Sequence, residues 1–178
     1  MNTIDCIFGR RSIRQFTEEK VKKETLENII AAASLAPSWK NTQITRYIAI
    51  ENENLKNKIA DETMPSYNTA SVKSASLLIA VTVIKGRSGF ERDGSFSTAK
   101  EDRWQMFDCG VACQTFCLAA YEYGIGTVIM GIFDDEKAAK LLEVPEDRLL
   151  VGFIAAGHPN VAPEAPKRKS VQELLEYI

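Results

Sequence analysis

Residues 101–123 constrain the fold more than any other part of this chain. They form a helical pattern of about six turns, and its second half has no polar side. Val111, Ala112, Cys113, Phe116, Cys117, Leu118, Ala119 and Ala120 follow Cys109 on nearly every face. A helix that is apolar all round has to be covered, by a core or by a subunit interface. Gly124 stands where a left-handed C-cap would end it. The rest of the chain is therefore expected to be built around one central helix.

The remaining elements are short. Residues 77–84 are a near-continuous apolar run rich in β-branched side chains, the pattern of a strand buried on both faces. Residues 45–50, 126–131 and 149–156 are further extended segments. A helix is predicted over 22–35, with Leu26, Ile29, Ile30 and Ala33 at helical spacing, and Pro37 ends it. Shorter helices are expected over 55–60, 135–143 and from an Asn2 or Thr3 cap through Phe8. Strands this few, interleaved with helices, give an α+β class with helices packed on a small sheet. There are no repeats and no linker, so residues 1–178 form one domain. Residues 85–98, rich in glycine and serine, are expected to form a mobile excursion.

Two basic clusters stand out against the acidic background of 22 Lys and Arg to 24 Asp and Glu. Arg10, Arg11, Ser12 and Arg14 form one; Lys167, Arg168 and Lys169 form the other. Guanidinium forks beside a serine hydroxyl suit the several acceptor oxygens of a phosphate monoester. A charged run near a terminus more often simply faces water, so the pairing of two such clusters carries the reading. An acidic chain without an extended basic face excludes nucleic acid as a partner, and no apolar run is long enough to span a bilayer. The charged opening is read as that of a cytoplasmic protein. Cys6, Cys109, Cys113 and Cys117 are expected as buried thiols rather than metal ligands. The single histidine, His158, reads as a turn residue, and no nucleophile elbow, phosphate loop or dinucleotide fingerprint is present. An enzyme lacking a protein-borne acid, base or nucleophile would rely on a bound cofactor.

Taken in order, a set of short pieces resembles the FMN-dependent nitroreductase family across nearly the whole chain. They are Arg10-Arg11-Ser12-Ile13-Arg14-Gln15-Phe16, Ala36-Pro37-Ser38-Trp39-Lys40-Asn41-Thr42-Gln43, Asn68, Asp108-Cys109-Gly110, Gly124-Ile125-Gly126-Thr127, Gly157-His158-Pro159 and the Lys167–Lys169 cluster. The resemblance implies a mostly antiparallel sheet in an intertwined homodimer, with FMN at the subunit interface and the tail 159–178 embracing the partner. It implies that Arg10, Ser12 and Arg168 grip the FMN phosphate, with Arg11, Lys167 and Lys169 nearby. Arg14 would approach the flavin pyrimidine edge, favouring the negative charge of the reduced form. Pro37, Ser38, Trp39 and Asn41 would contact flavin from the other subunit. Asn68 would bond the flavin, and Met130 and Gly131 would present backbone near N5.

The implied activity is hydride transfer from NAD(P)H through flavin N5 to flat acceptors, nitroaromatics and quinones, in ping-pong order. Reductive dehalogenation, other flavin chemistry and a non-catalytic flavin-binding protein are the alternatives. Two departures bear on the site. The lysine many members place after the asparagine falls at Ser71, with Lys73 two positions on. The substrate-covering segment is confined to about 85–104.

Overall fold

The computed structural model describes residues 2–178. Its core is the apolar run read from sequence. Strand β2 (Leu77–Ile84) lies between β1 (Thr45–Ile50) and β4 (Arg148–Gly157), and β3 (Gly126–Met130) flanks β4, giving the order β1-β2-β4-β3. Every pair is antiparallel. Alternate residues of β2 face opposite sides, as the two-residue period requires. Leu78 and Ala80 join one core with Val128, Met130, Phe153 and Ala155. Leu77, Ile79, Val81 and Val83 join a second with Ile154 and Ala156. Both faces are covered, which is why β2 does not alternate polar with apolar.

One irregularity keeps those layers intact. The β2–β4 register shifts between Val81 and Thr82, which pair with Gly152 and Leu150 and leave Val151 as an extra residue on β4. A bulge of this kind reverses side-chain parity along the strand. Leu150 and Phe153, of opposite parity, therefore enter the same core.

Helices α3 (Glu53–Thr63), α4 (Ser66–Ser74) and α6 (Asp135–Leu141) cover the first face; α2 (Lys23–Ala33) and α5 (Arg103–Glu122) cover the second. Local caps fix several of them. The side chains of Asn52 and Asp134 accept from Leu55 N–H and Lys137 N–H at 3.0 Å each, satisfying donors that a helix start leaves orphaned. Asn2 does the same for α1 (Thr3–Gly9), accepting from Asp5 N–H. The last helix, α7 (Val171–Leu174), has a Ser170–Glu173 capping box. Lys56 is fully buried and donates to Glu53 and to the Ala75 carbonyl, tying α3 to the end of α4.

Helix α4 departs from the sequence expectation, which left residues 66–74 unassigned. Its apolar content is too low for a periodic signal, and only Ser71 and Val72 are buried. Helix α5 ends where expected, with Gly124 at φ +73°. It is apolar all round in sequence, but within one chain only one face is buried. Cys109, Ala112, Cys113, Phe116, Cys117 and Ala120 pack inward, while Met106, Phe107 and Gly110 are exposed. All four cysteines are free and buried. Among the described residues, no helix is long and apolar enough to cross a membrane.

Candidate functional site

The Arg10–Arg14 segment is extended and lies across the end of the sheet where β3 begins and β4 finishes. Ser12 bridges Thr127, Phe16 bridges Pro159, and Ile13 N–H donates to the Thr127 carbonyl at 2.9 Å. Two glycines permit this contact. A Cβ on Gly126 would stand 2.7 Å from Ile13, and one on Gly157 would stand 3.0 Å from Phe16. Ile13 and Phe16 are buried there, which leaves Arg14 exposed and Arg10 and Ser12 partly exposed. Arg10 and Arg11 line a cleft of about 280 Å³ with Thr127, Pro159, Val161, Ala162 and Pro163.

The two neighbouring arginines are not equivalent. Arg11 Nη1 donates to the carbonyls of Phe8 and Arg10 at 2.6 and 2.9 Å, closing the C-terminal end of α1 where a cation is favoured. Arg10 and Arg14 make no side-chain hydrogen bond or ion pair among the described residues. Burial pushes the Cys117 thiol pKa up, aided by Cys113, and outweighs the lowering effects of Thr127 and of the Arg10 charge.

The loop at 36–43 forms a second cleft of about 410 Å³ with α2, β1 and α5, lined in part by Pro37, Ser38, Tyr47 and Asp108. Lys40, Asn41 and Gln43 all have positive φ, at 44°, 55° and 48°. Such conformations cost about 1–3 kcal/mol each in non-glycine residues and persist only when the surroundings over-determine them. Here Ser38 Oγ accepts from Gln43 N–H at 2.9 Å. Trp39 N–H donates to both carboxylate oxygens of Asp108, at 3.1 and 3.0 Å. Trp39 Nε1 and Thr42 Oγ1 are buried without a partner, two polar atoms left for a ligand or a second chain.

Asn68 lies half-buried on α4. At about 100° per residue, Ser71 is about 60° round the helix from it and Lys73 about 140°. Lys73 pairs instead with Asp61 at 2.7 Å, and Ser71 is buried. Met130 is buried at the far end of β3, about 13 Å along the strand from Gly126. A Cβ on Gly131 would meet nothing within 4 Å. Lys167, Arg168 and Lys169 are exposed, as is every residue from 159 to 178. The structure thus unites Arg10 and Arg11 with the start of the tail, but not with its basic cluster. Nor do the arginine segment and the 36–43 loop share a cleft.

Sequence reasoning assigned no role to Asp108, Gln105 or Ser88, all buried and hydrogen-bonded. The available signal was an aspartate at the edge of the most apolar helix, since a buried carboxylate requires partners. The family model for nitroreductases matches residues 7–158. The chain belongs to the nitroreductase family. It is 28% identical to two curated relatives, over 170 and 183 residues. One is the NADPH-flavin oxidoreductase of Vibrio harveyi, with 94% of this chain and 70% of the relative covered. The other is the FMN reductase [NAD(P)H] of Bacillus subtilis, with 98% and 72% covered. A structure from Desulfovibrio desulfuricans, assigned as a nitroreductase and solved in complex with FMN, superposes with a TM-score of 0.79 at 28% identity, covering 100% of this chain and 97% of that one.

Proposed function

We propose that this chain is an FMN-dependent NAD(P)H oxidoreductase that acts as a homodimer. The residues fit the cofactor. Arg10, Ser12 and Arg14 supply guanidinium and hydroxyl donors along a segment held against the sheet, as a phosphate and an electron-rich ring edge require. Trp39 Nε1 and Thr42 Oγ1 are buried without partners on the loop that the family places against flavin. FMN, when bound, supplies two-electron transfer between NAD(P)H and a flat acceptor such as a nitroaromatic or quinone, the two substrates using one pocket in turn.

The protein's own part is to bind, orient and tune. Arg10, Ser12 and Arg168 hold the phosphate, and Lys167, Lys169 and the remaining Arg11 donors raise the local positive potential. With Lys73 tied to Asp61, Arg14 is the cation left to favour negative charge on the pyrimidine edge. Met130 and Gly131 offer backbone, and Asn68 an amide, to the ring.

One observation carries the dimeric site: Arg10 and Arg11 line one cleft of the chain, Pro37 and Ser38 line another, and the two clefts have no lining residue in common. A second copy supplies the missing wall. The exposed apolar residues agree with this, including Ile4, Ile7 and Phe8 on α1, Phe107 on α5, and Leu174, Tyr177 and Ile178 in the tail. Purified protein should be dimeric, show flavin absorbance bands, and bleach anaerobically with NAD(P)H. A colourless monomer unable to take up FMN would overturn the proposal. Screening reduced protein against nitroaromatic, quinone, enone and iodoaromatic acceptors ranks the acceptor classes.

A further inference from the structure

We propose that Asp108 is a positioning residue that locks the flavin-facing loop 38–43 to the covering segment 85–104, so that the two move as one unit. The proposal rests on the flavin reading above. The Asp108 carboxylate is 3% exposed and Ser88 fully buried. Its oxygens accept from Trp39 N–H, and Oδ2 also accepts from Ser88 Oγ–H at 2.7 Å. One turn earlier on α5, Gln105 accepts from Gly86 N–H at 3.0 Å. The first turns of α5 thus hold both ends of the arrangement from below.

Two further links join the same partners above the carboxylate. The Trp39 and Trp104 rings lie 4.5 Å apart. Lys40 pairs with Glu91 at 2.7 Å, and Glu91 also accepts from Ser97 at 2.6 Å. The loop bears three left-handed residues and does not hold that shape by local preference. Whatever loosens the covering segment should therefore release the loop as well. Ser88, which belongs to the covering segment, becomes a determinant of FMN affinity through Asp108.

The test uses Ser88→Ala, Asp108→Asn and Asp108→Ala in the purified protein, each first shown to melt cooperatively. Hydrogen exchange is followed at residues 39–43 and 86–97, and FMN affinity by titration. In Ser88→Ala, exchange should rise in both segments, and FMN affinity should fall about 5-fold, the value of one hydrogen bond. Asp108→Ala should weaken FMN about 10²-fold, through loss of charge-assisted bonds. Asp108→Asn should fall between them, since its amide keeps an oxygen for Trp39 N–H and offers a donor to Ser88 Oγ. If Asp108→Ala fails to fold, the other two variants decide. Faster exchange confined to 86–97 in Ser88→Ala, with wild-type FMN affinity, overturns the proposal. Wild-type protein that binds no FMN overturns the flavin reading instead, and leaves the exchange coupling readable.

Discussion

The segments 10–16 and 159–178 both carry basic clusters, yet the protein treats them differently. The first is held at the sheet end by backbone bonds at Ile13 and Thr17, with Ile13 and Phe16 packed on glycines. Its backbone is fixed in place before any ligand arrives, which reduces the ordering cost of binding. The second is exposed along its whole length. Its only helix, α7, is four residues long, too short to persist without tertiary packing. On the dimeric reading proposed above, the comparison separates a segment seated by the single chain from one that a second chain would complete.

The strongest way to break this comparison is to delete residues 161–178. The last backbone bond from the tail into the body, Asn160 N–H to the Gln15 carbonyl at 3.0 Å, survives the deletion. The truncated chain should keep its cooperative melt while losing dimerisation and at least about 10²-fold in FMN affinity, for want of several charge-assisted bonds. Sedimentation and flavin titration measure both. A truncated protein that stays dimeric and yellow would show that the tail completes nothing.

Single substitutions sharpen the same contrast. Arg10→Ala and Arg168→Ala should each weaken FMN about 10- to 100-fold, from about 1.5–3 kcal/mol per charged hydrogen bond. Only Arg10→Ala alters a half-site that is already formed in the isolated chain. Below these comes Gly126→Ala. The new methyl would collide with buried Ile13 and should cost about 1–3 kcal/mol in denaturant unfolding, as overpacking does. Gly131→Ala, with open space around it, should change stability by less than about 0.5 kcal/mol. Equal losses at the two glycines would mean that the arginine segment is not seated on the sheet.

How much of this was legible beforehand follows from which physical signal each part emits. The run at 77–84 and the strand at 45–50 match β2 and β1 at both ends; for β2, burial on two faces leaves an unmistakable apolar record. Helix α4 leaves none. It is short and polar, and owes its place to packing and to the buried Lys56 that ties α3 to its end. In the site, Arg10, Ser12 and Arg14 could be read together because they are neighbours in sequence. The carboxylate that organises the other half could not, because Trp39, Ser88 and Asp108 meet only through the fold. Lys73 shows the same limit in reverse. Two positions in sequence from Ser71, it is turned to Asp61 by the helical period.

The smallest expected effect concerns the outer tie between the loop and the segment that covers it. Lys40, and then Ser97, hold the Glu91 carboxyl below its ordinary pKa. A carboxylate whose folded pKa is depressed contributes stability that is fully present above its unfolded value, about 4.3, and lost as pH falls through the lower folded value. The segment should therefore loosen on acidification below about pH 4, and high salt should mimic the change because the Lys40–Glu91 pair is exposed. Exchange at residues 89–97, followed from pH 6 to pH 3 by labelling corrected for intrinsic rate, reads this directly. In Glu91→Gln the acid step should vanish, with exchange already raised at pH 6. An unchanged acid step in that variant would assign the transition to another carboxylate and leave the Asp108 bonds and the Trp39–Trp104 contact as the links between the two segments.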